Sequence, residues 1–241
     1  MAGPEAGLRA GPNAQGGRLA NAPQAACINS SASHTAVAKL LIDHGANVNT
    51  QGGGFGNALQ AAITTPTNHE LVTVLLEHGA DPNTSSGMFG YALQAAADGH
   101  HDDIIKLLIE SHGAEINRIG GNWGTALQIA SEAGSQSTVE LLLRKGADPN
   151  ICAGHYGTAL QAAAYRGFRG IVKILLEHGA DVDAQGGAKG SAIQAALNGH
   201  DGPNQELADF LRTKSRSKTV DDDEVTLTSK TWTAARVGQK A

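Results

Sequence analysis

The sequence predicts an all-α solenoid, in which helix-turn-helix units stack and are joined by short β-turn or hairpin loops. One short phrase, Ala-Leu-Gln or a close variant, occurs about six times, and successive copies begin 33 to 36 residues apart. A period of this length is typical of solenoid repeats. Each copy is followed by the apolar spacing of a second helix, and a glycine closes most units. The copies begin at residues 22, 58, 92, 126, 159 and 192.

The clearest copy of the unit lies at residues 157–183. Thr158 can cap the first, alanine-rich helix by accepting a hydrogen bond from a backbone N–H. Gly167 marks a turn, and the stretch from Ile171 to Leu176 has apolar residues at the spacing of a buried helix face. Gly179 supplies the left-handed residue that ends the second helix. The segment therefore predicts two packed helices and a polar link.

The other units carry the same signals in the same places. A side chain that can cap the first helix is expected in most units, although one unit has a tyrosine there, which caps poorly. The predicted caps are Asn57, Thr125, Thr158 and Ser191, and the tyrosine is Tyr91. The predicted closing glycines are Gly45, Gly79, Gly113, Gly146 and Gly179.

These signals divide the chain into three parts. Residues 1–20 are interpreted as a flexible leader or the worn end of a preceding repeat, because Ala10-Gly-Pro-Asn13 matches the links between later units. Residues 21–214 form the repeat domain of about six units, with a degenerate first unit and a last unit that serves as a cap. Residues 215–241 are polar, lack a helical period and are predicted to be disordered.

Composition argues against several classes of protein. The net charge is −5, whereas a nucleic-acid-binding surface needs an excess of Lys and Arg. No stretch of the sequence approaches the roughly 18 apolar residues of a membrane helix. The only cysteines, Cys27 and Cys152, are too few for a disulfide framework. We therefore expect a cytoplasmic protein, with the nucleus as an alternative, that binds neither nucleic acid nor a membrane.

Two sets of repeated polar residues are interpreted as structural. Histidines precede the closing glycine, where a ring can bond the last helix carbonyls, and copies in neighbouring units are too far apart to share a metal ion. Glutamines recur in the first helix, where an amide can bond the backbone of its own and the next unit. We predict no metal site, no cofactor and no catalytic residue. The residues are His44, His78, His112 and His178, with Gln24, Gln60, Gln94, Gln128, Gln161 and Gln194.

The unit resembles the ankyrin repeat. Thr158-Ala-Leu-Gln-Ala-Ala163 and Thr125-Ala-Leu-Gln-Ile-Ala130 correspond to the Thr-Pro-Leu-His-x-Ala signature of that family. The resemblance covers residues 21–214 and implies an ankyrin-repeat solenoid. The consistent replacement of Pro by Ala and of His by Gln is similar to the ankyrin arrays of filamentous fungi, which often follow a nucleotide-binding sensor domain.

A first group of candidate binding residues occupies one slot in the links, just before the glycine that leads into the first helix. Stacked units place equal positions in a row, and large aromatic side chains on a rigid surface are favoured binding anchors. The slot residues are Phe55, Phe89, Trp123, Tyr156 and Lys189. The alternative interpretation is that each ring only packs on the neighbouring glycine-rich turn.

A second group lies at the end of the first helix, on the side expected to face the concave surface. The units differ from one another here, while their framework is constant. The charged and aromatic members are Asp98, Glu132, Tyr165 and Arg166. This mixture suits a polar and aromatic protein epitope, and the alternative is that these are unconstrained solvent positions.

Together these observations predict a non-enzymatic, monomeric scaffold or adaptor. It would bind a partner protein through the concave face and the links, because a preformed rigid surface loses little entropy on binding. One alternative is an enzyme or small-molecule binder with a pocket between links, around Trp123 and Tyr156. Another is a detached fragment of a larger sensor-type ankyrin protein, in which case the chain is the tail of a longer array.

Overall fold

The computed structural model describes residue 13 and residues 21–28, 32–65 and 69–215. Apart from Asn13, the predicted leader lies outside these ranges, as do residues 216–241 of the predicted tail. Among the described helices, none combines the length and the apolar character needed to cross a membrane. The helices are α1 (Ala22–Cys27), α2 (Ala32–Asp43), α3 (Ala58–Ile63), α4 (His69–Glu77), α5 (Ala92–Asp98), α6 (Asp102–His112), α7 (Ala126–Ala133), α8 (Gln136–Arg144), α9 (Ala159–Tyr165), α10 (Arg169–Glu177), α11 (Ala192–Leu197) and α12 (205–215).

The helices stack in two rows. The first helices of the units, α1, α3, α5, α7, α9 and α11, pack side by side in order, and α2, α4, α6, α8 and α10 form the second row behind them. Alanines such as Ala61 and Ala162 are fully buried in the first row and let its short helices approach closely, while leucines such as Leu75 and Leu142 fill the space between rows. The predicted all-α solenoid is confirmed.

The predicted helix ends are also confirmed. Asn57 accepts a hydrogen bond from the backbone N–H of Gln60 at 2.9 Å. Reciprocal capping boxes, in which the third helical residue bonds back to the cap, form at Thr125, Thr158 and Ser191. Tyr91 makes no capping hydrogen bond through its side chain. The closing glycines Gly45, Gly79, Gly113, Gly146 and Gly179 all have positive φ.

Each link contains a tight turn closed by one antiparallel bridge, and we call these turns fingers. Finger 1 spans residues 52–56, finger 2 residues 86–90, finger 3 residues 120–124, finger 4 residues 153–157 and finger 5 residues 186–190. The slot residue is the fourth of the five residues in every finger. The fingers therefore present equivalent positions along one edge of the solenoid.

The repeated glutamines of the first helices, which we call the glutamine ladder, join each unit to the next finger. The Oε1 atom of Gln128 accepts from the backbone N–H of Thr125 at 2.6 Å. Its Nε2 group donates to the carbonyl oxygens of Ile151 and Ala153 in the next link, both at 3.1 Å, and to that of Gly157. The predicted hydrogen bonding of the glutamines to the backbone is confirmed. Between units, the glutamine amide donates to backbone carbonyl groups. Equivalent bonds to the next link start from Gln24, Gln60, Gln94 and Gln161.

A second ladder, which the sequence does not predict, runs along the base of the links. Asn49 Nδ2 donates to the carbonyl oxygen of Gly79 at 2.8 Å, and Asn49 Oδ1 accepts from the backbone N–H of Asp81 at 2.9 Å. Each bond joins residues about one unit apart in the sequence. It therefore connects the end of the second helix of one unit to the link that precedes that unit. The same pair of bonds starts from Asn13, Asn83, Asn117 and Asn150.

Neighbouring fingers touch through their backbones. Gly90, which follows the slot of finger 2, has φ 90°, and a Cβ atom built there would lie 2.6 Å from Gly120 Cα and 2.8 Å from Gly121 N in finger 3. Gly79 at the end of α4 has a similar φ of 83°, but a Cβ atom there would meet nothing within 4 Å. The finger glycine is therefore required by contact as well as by conformation.

Replacing Gln128 by Ala should lower the free energy of unfolding by about 2 kcal/mol, because the partly buried carbonyl groups of Ile151 and Ala153 lose the amide donor. Gln194, which is exposed, serves as the comparison, since its amide oxygen bonds the backbone of Ser191 but its Nε2 group has no bond to a described residue. Gln194→Ala should cost less than about 1 kcal/mol. Urea denaturation measures both values, and equal losses would contradict an inter-unit role for the amide.

Replacing Gly90 by Ala should destabilise the protein by about 2 kcal/mol more than Gly79→Ala does, because only the first substitution adds a clash to the strain. Gly79→Ala should cost about 1 kcal/mol through its positive φ alone. Thermal and urea denaturation of the two variants gives the comparison. If both variants are equally stable, the fingers do not stack as tightly as described.

Candidate functional site

The five slot residues do not form a uniform stripe. Phe55 and Phe89 are half-buried and pack against the hydrophobic core, whereas 41% of the Trp123 surface is exposed. Tyr156 and Lys189 contact polar and aromatic side chains of neighbouring units. The same slot thus supplies packing in fingers 1 and 2, an exposed ring in finger 3 and a polar cluster in fingers 4 and 5.

A cavity of about 140 Å³ opens between fingers 2 and 3. We call it the finger 2–3 pocket. Its fingers contribute apolar side chains, the ends of the adjacent helices α5 and α7 contribute two carboxylates, and the middle of α7 contributes one buried isoleucine. The lining residues are Met88, Phe89, Asp98, Trp123, Ile129 and Glu132. The structure therefore brings together candidates from both sequence-derived groups.

Met88 and Ile129 were not among the predicted site residues. Met88 is 58% exposed and Ile129 only 3%. The signal was present within the repeat itself, because Met88 occupies the position before the slot, where the other units carry small or polar residues. Ile129 is likewise the large exception at a helix position that is otherwise alanine. Comparing units for such departures would have found both.

The two carboxylates of the pocket differ in their partners. Glu132 Oε1 accepts a hydrogen bond from the Tyr156 hydroxyl at 3.3 Å and lies 3.8 Å from Nε of Arg166. Arg166 Nε also donates to the backbone oxygen of Glu132 at 3.2 Å. The side chain of Asp98 is exposed and makes no hydrogen bond or ion pair with any residue that the structure describes. Glu132 therefore has a cationic partner within the chain, whereas Asp98 has none in the described ranges.

An aromatic and basic cluster continues from Glu132 along fingers 4 and 5. The rings of Tyr156 and Tyr165 have centroids 5.4 Å apart. Lys189 places its Nζ atom 4.3 Å from the centroid of the Tyr165 ring, which is a cation–π contact. Eight of the nine predicted site residues thus lie in two connected groups, and Phe55 packs separately in finger 1.

The surroundings of Tyr156 raise its pKa to about 12. Partial burial is the main cause, and the negative charge of Glu132 and its hydrogen bond to the hydroxyl add to it. The phenol therefore keeps its proton in neutral solution and remains a donor to Glu132. This bond orients the carboxylate at the edge of the finger 2–3 pocket.

The histidines that precede closing glycines act at helix ends. The Nδ1 atoms of His44, His78 and His178 lie 2.7 to 2.8 Å from the carbonyl oxygen four residues earlier. This is the contact predicted for the repeated histidines, whereas His112, the fourth of them, makes no such hydrogen bond with a described residue. Within the described ranges, no group of three or more His, Cys, Asp or Glu side chains is placed to hold a metal ion.

Comparison with known families gives a consistent match. A family model described as "Ankyrin repeats (3 copies)" matches residues 8–86 and 87–153, and one described as "Ankyrin repeat" matches residues 156–187. Together these matches cover more than half of the chain. No curated protein sequence matches it.

Protein stability should fall as pH rises from 10 to 12, in part because of Tyr156. The unfolded chain ionises this phenol near its ordinary pKa of 10.0, while the folded chain holds the proton until about 12. The unfolded state therefore binds fewer protons in this window, and unfolding becomes more favourable. Tyr156→Phe should make the decline shallower, and Glu132→Gln should lower the pKa of Tyr156. Tyrosinate absorbance and urea denaturation against pH measure both effects, and unchanged curves would contradict the contact.

Proposed function

Because the chain belongs to the ankyrin-repeat family, we propose that it is a non-enzymatic scaffold that binds a partner protein through its fingers and concave face. Ankyrin repeats are generally protein-interaction modules. The observation that carries the proposal for this chain is the concentration of exposed apolar side chains at fingers 2 and 3. The surface formed by Met88, Ile119 and Trp123, together with the finger 2–3 pocket, is the proposed centre of the interface.

Exposure supports this choice of surface. Met88, Ile119 and Trp123 are 58%, 55% and 41% exposed, and all three lie in or beside two adjacent fingers. Met88 and Trp123 also line the same pocket, and exposed apolar side chains grouped beside polar ones are typical of interaction sites. Asp98 and Glu132 supply these polar groups. The net charge of −5 further supports a protein partner over a nucleic acid.

Rigidity also supports a scaffold. The backbone of each finger is held by glutamine bonds from the preceding unit and by contact with neighbouring fingers. Side chains that stand on a preordered backbone lose less conformational entropy when they bind. Trp123 and Met88 are therefore suitable anchors for a partner surface.

The size of the cavity bears on the alternative of a small-molecule site. Pockets for small molecules usually measure about 300–1,000 Å³, whereas the finger 2–3 pocket measures about 140 Å³. It lies between Phe89 and Trp123, while Tyr156, expected in that alternative, is bonded to Glu132. A pocket of this size suits one side chain of a protein partner.

Comparative affinity capture from a native extract tests the proposal. The double variant Met88→Ser/Trp123→Ala should lose most of the proteins that the wild type captures, because it removes exposed anchors without disturbing the core. The matched control is Val37→Ser/Leu40→Ser, which removes two apolar side chains of α2 that are 49% and 57% exposed. Quantitative mass spectrometry of the captured proteins provides the readout.

The control should retain its partners at wild-type levels. Circular dichroism and thermal melting must show that both variants remain folded. Equal capture by the wild type and the finger variant would refute the proposed interface. Loss of capture in the α2 variant alone would instead indicate an interface on the second row of helices.

A further inference from the structure

We propose that the finger 2–3 pocket receives a single basic side chain of the partner, with arginine preferred over lysine. This inference rests on the proposed function and specifies the chemistry that the surface recognises. Three features of the pocket carry it: its apolar and aromatic walls, its uncompensated carboxylate, and an internal counterpart between fingers 4 and 5.

The walls suit the stem and the charged group of a long basic side chain. Met88 and Phe89 come from one finger and Trp123 from the next, and they enclose a space of about 140 Å³. The aliphatic stem of Arg or Lys packs on apolar surface. A cation near the face of a tryptophan gains a favourable cation–π interaction, and Trp is the strongest partner of this kind.

The charges at the rim favour a cation over an apolar group. Asp98 and Glu132 line the pocket, and its lining residues include no Lys or Arg. Arg166 and Tyr156 already contact Glu132, whereas Asp98 has no partner within the described part of the chain. A purely apolar occupant would bury part of the Asp98 carboxylate without compensation, which is costly. A basic occupant would instead pair with it.

The unpaired carboxylate of Asp98 beside an aromatic wall favours arginine. Asp98 and Glu132 occupy equivalent positions in successive units, near the ends of the adjacent helices α5 and α7. The planar guanidinium has several N–H groups in fixed directions, so it can donate to more than one carboxylate oxygen while it stacks on an aromatic ring. Lysine offers the charge without this geometry.

The chain itself forms a similar contact two fingers away. Tyr165 occupies the position of Asp98 and Glu132 in its unit, and Lys189 from finger 5 stands over its ring at 4.3 Å. There the chain provides both the aromatic ring and the cation. Between fingers 2 and 3 it provides aromatic rings and carboxylates, and the cation is left to the partner.

Peptide selection on the full-length chain tests this chemistry. A display library of random linear peptides is selected on the wild-type protein and screened for binders that the Trp123→Ala variant does not retain. These binders should share one arginine or lysine position. Synthetic peptides with arginine, lysine, citrulline or norleucine at that position are then titrated. Replacement of arginine by citrulline, which keeps the shape and removes the charge, should weaken binding about tenfold.

Variants of the acid provide the matching half of the experiment. Asp98→Asn should weaken the arginine peptide about tenfold and leave the citrulline peptide unchanged, because the two changes remove the same charge pair. Asp98→Glu should retain most of the affinity. Asp103→Asn is the control, since Asp103 carries the same charge in the same unit but is paired on α6 with Lys106.

The outcomes separate this inference from the proposed function. Binders that depend on Trp123 but share no basic residue would overturn the inference and leave the interface intact. Equal binding of arginine and citrulline peptides, or no effect of Asp98→Asn, would do the same. A library that yields no binder dependent on Trp123 would overturn the inference, and equal affinity capture by the finger variant would separately overturn the interface.

Discussion

The hydrogen bonds from each glutamine to the carbonyl groups of the next link are the interaction on which the solenoid most depends. A finger has only one backbone bridge of its own, so its position must be fixed from outside. Gln128 does this for finger 4 from the buried start of α7. One side chain therefore sets the helix start through its oxygen and the spacing of the next finger through its nitrogen.

That spacing determines where the units can differ. Gly90 and Gly121 lie where the backbones of fingers 2 and 3 meet, so these positions have no room for side chains. Beside these glycines, the units differ at the slot, at the residue before it and at the end of the first helix. A pocket forms where side chains at these positions enclose a gap, as Met88 and Trp123 do. The surface available to a partner is consequently controlled by a few positions in each unit.

The sequence predicts the features that depend on neighbours within a unit, and it predicts less well those that depend on the next unit. The capping box of Thr158 follows from a threonine with a glutamine three residues later. The bond from Asn49 to Gly79 joins residues 30 apart, and nothing local in the sequence indicates it. Phe89 and Trp123 share a slot but differ in exposure, since each ring meets different side chains in adjacent units. Two thirds of the pocket lining was nevertheless among the predicted residues, because helix-end and slot positions vary where the framework does not.

Glu132 divides the proposed binding surface into two chemically different halves. On its C-terminal side, Tyr156 and Arg166 contact its carboxylate, and Lys189 covers Tyr165, so the chain satisfies its own charges and rings there. On its N-terminal side, Asp98 lies beside exposed aromatic and apolar groups and has no hydrogen-bond or ion-pair partner for its carboxylate among the described residues. Both halves are built on the same repeated backbone, so the difference arises from side chains alone. The region around fingers 2 and 3 therefore differs chemically from the region around fingers 4 and 5. The carboxylate of Asp98, which has no partner in the described ranges, is the strongest reason to expect recognition at fingers 2 and 3.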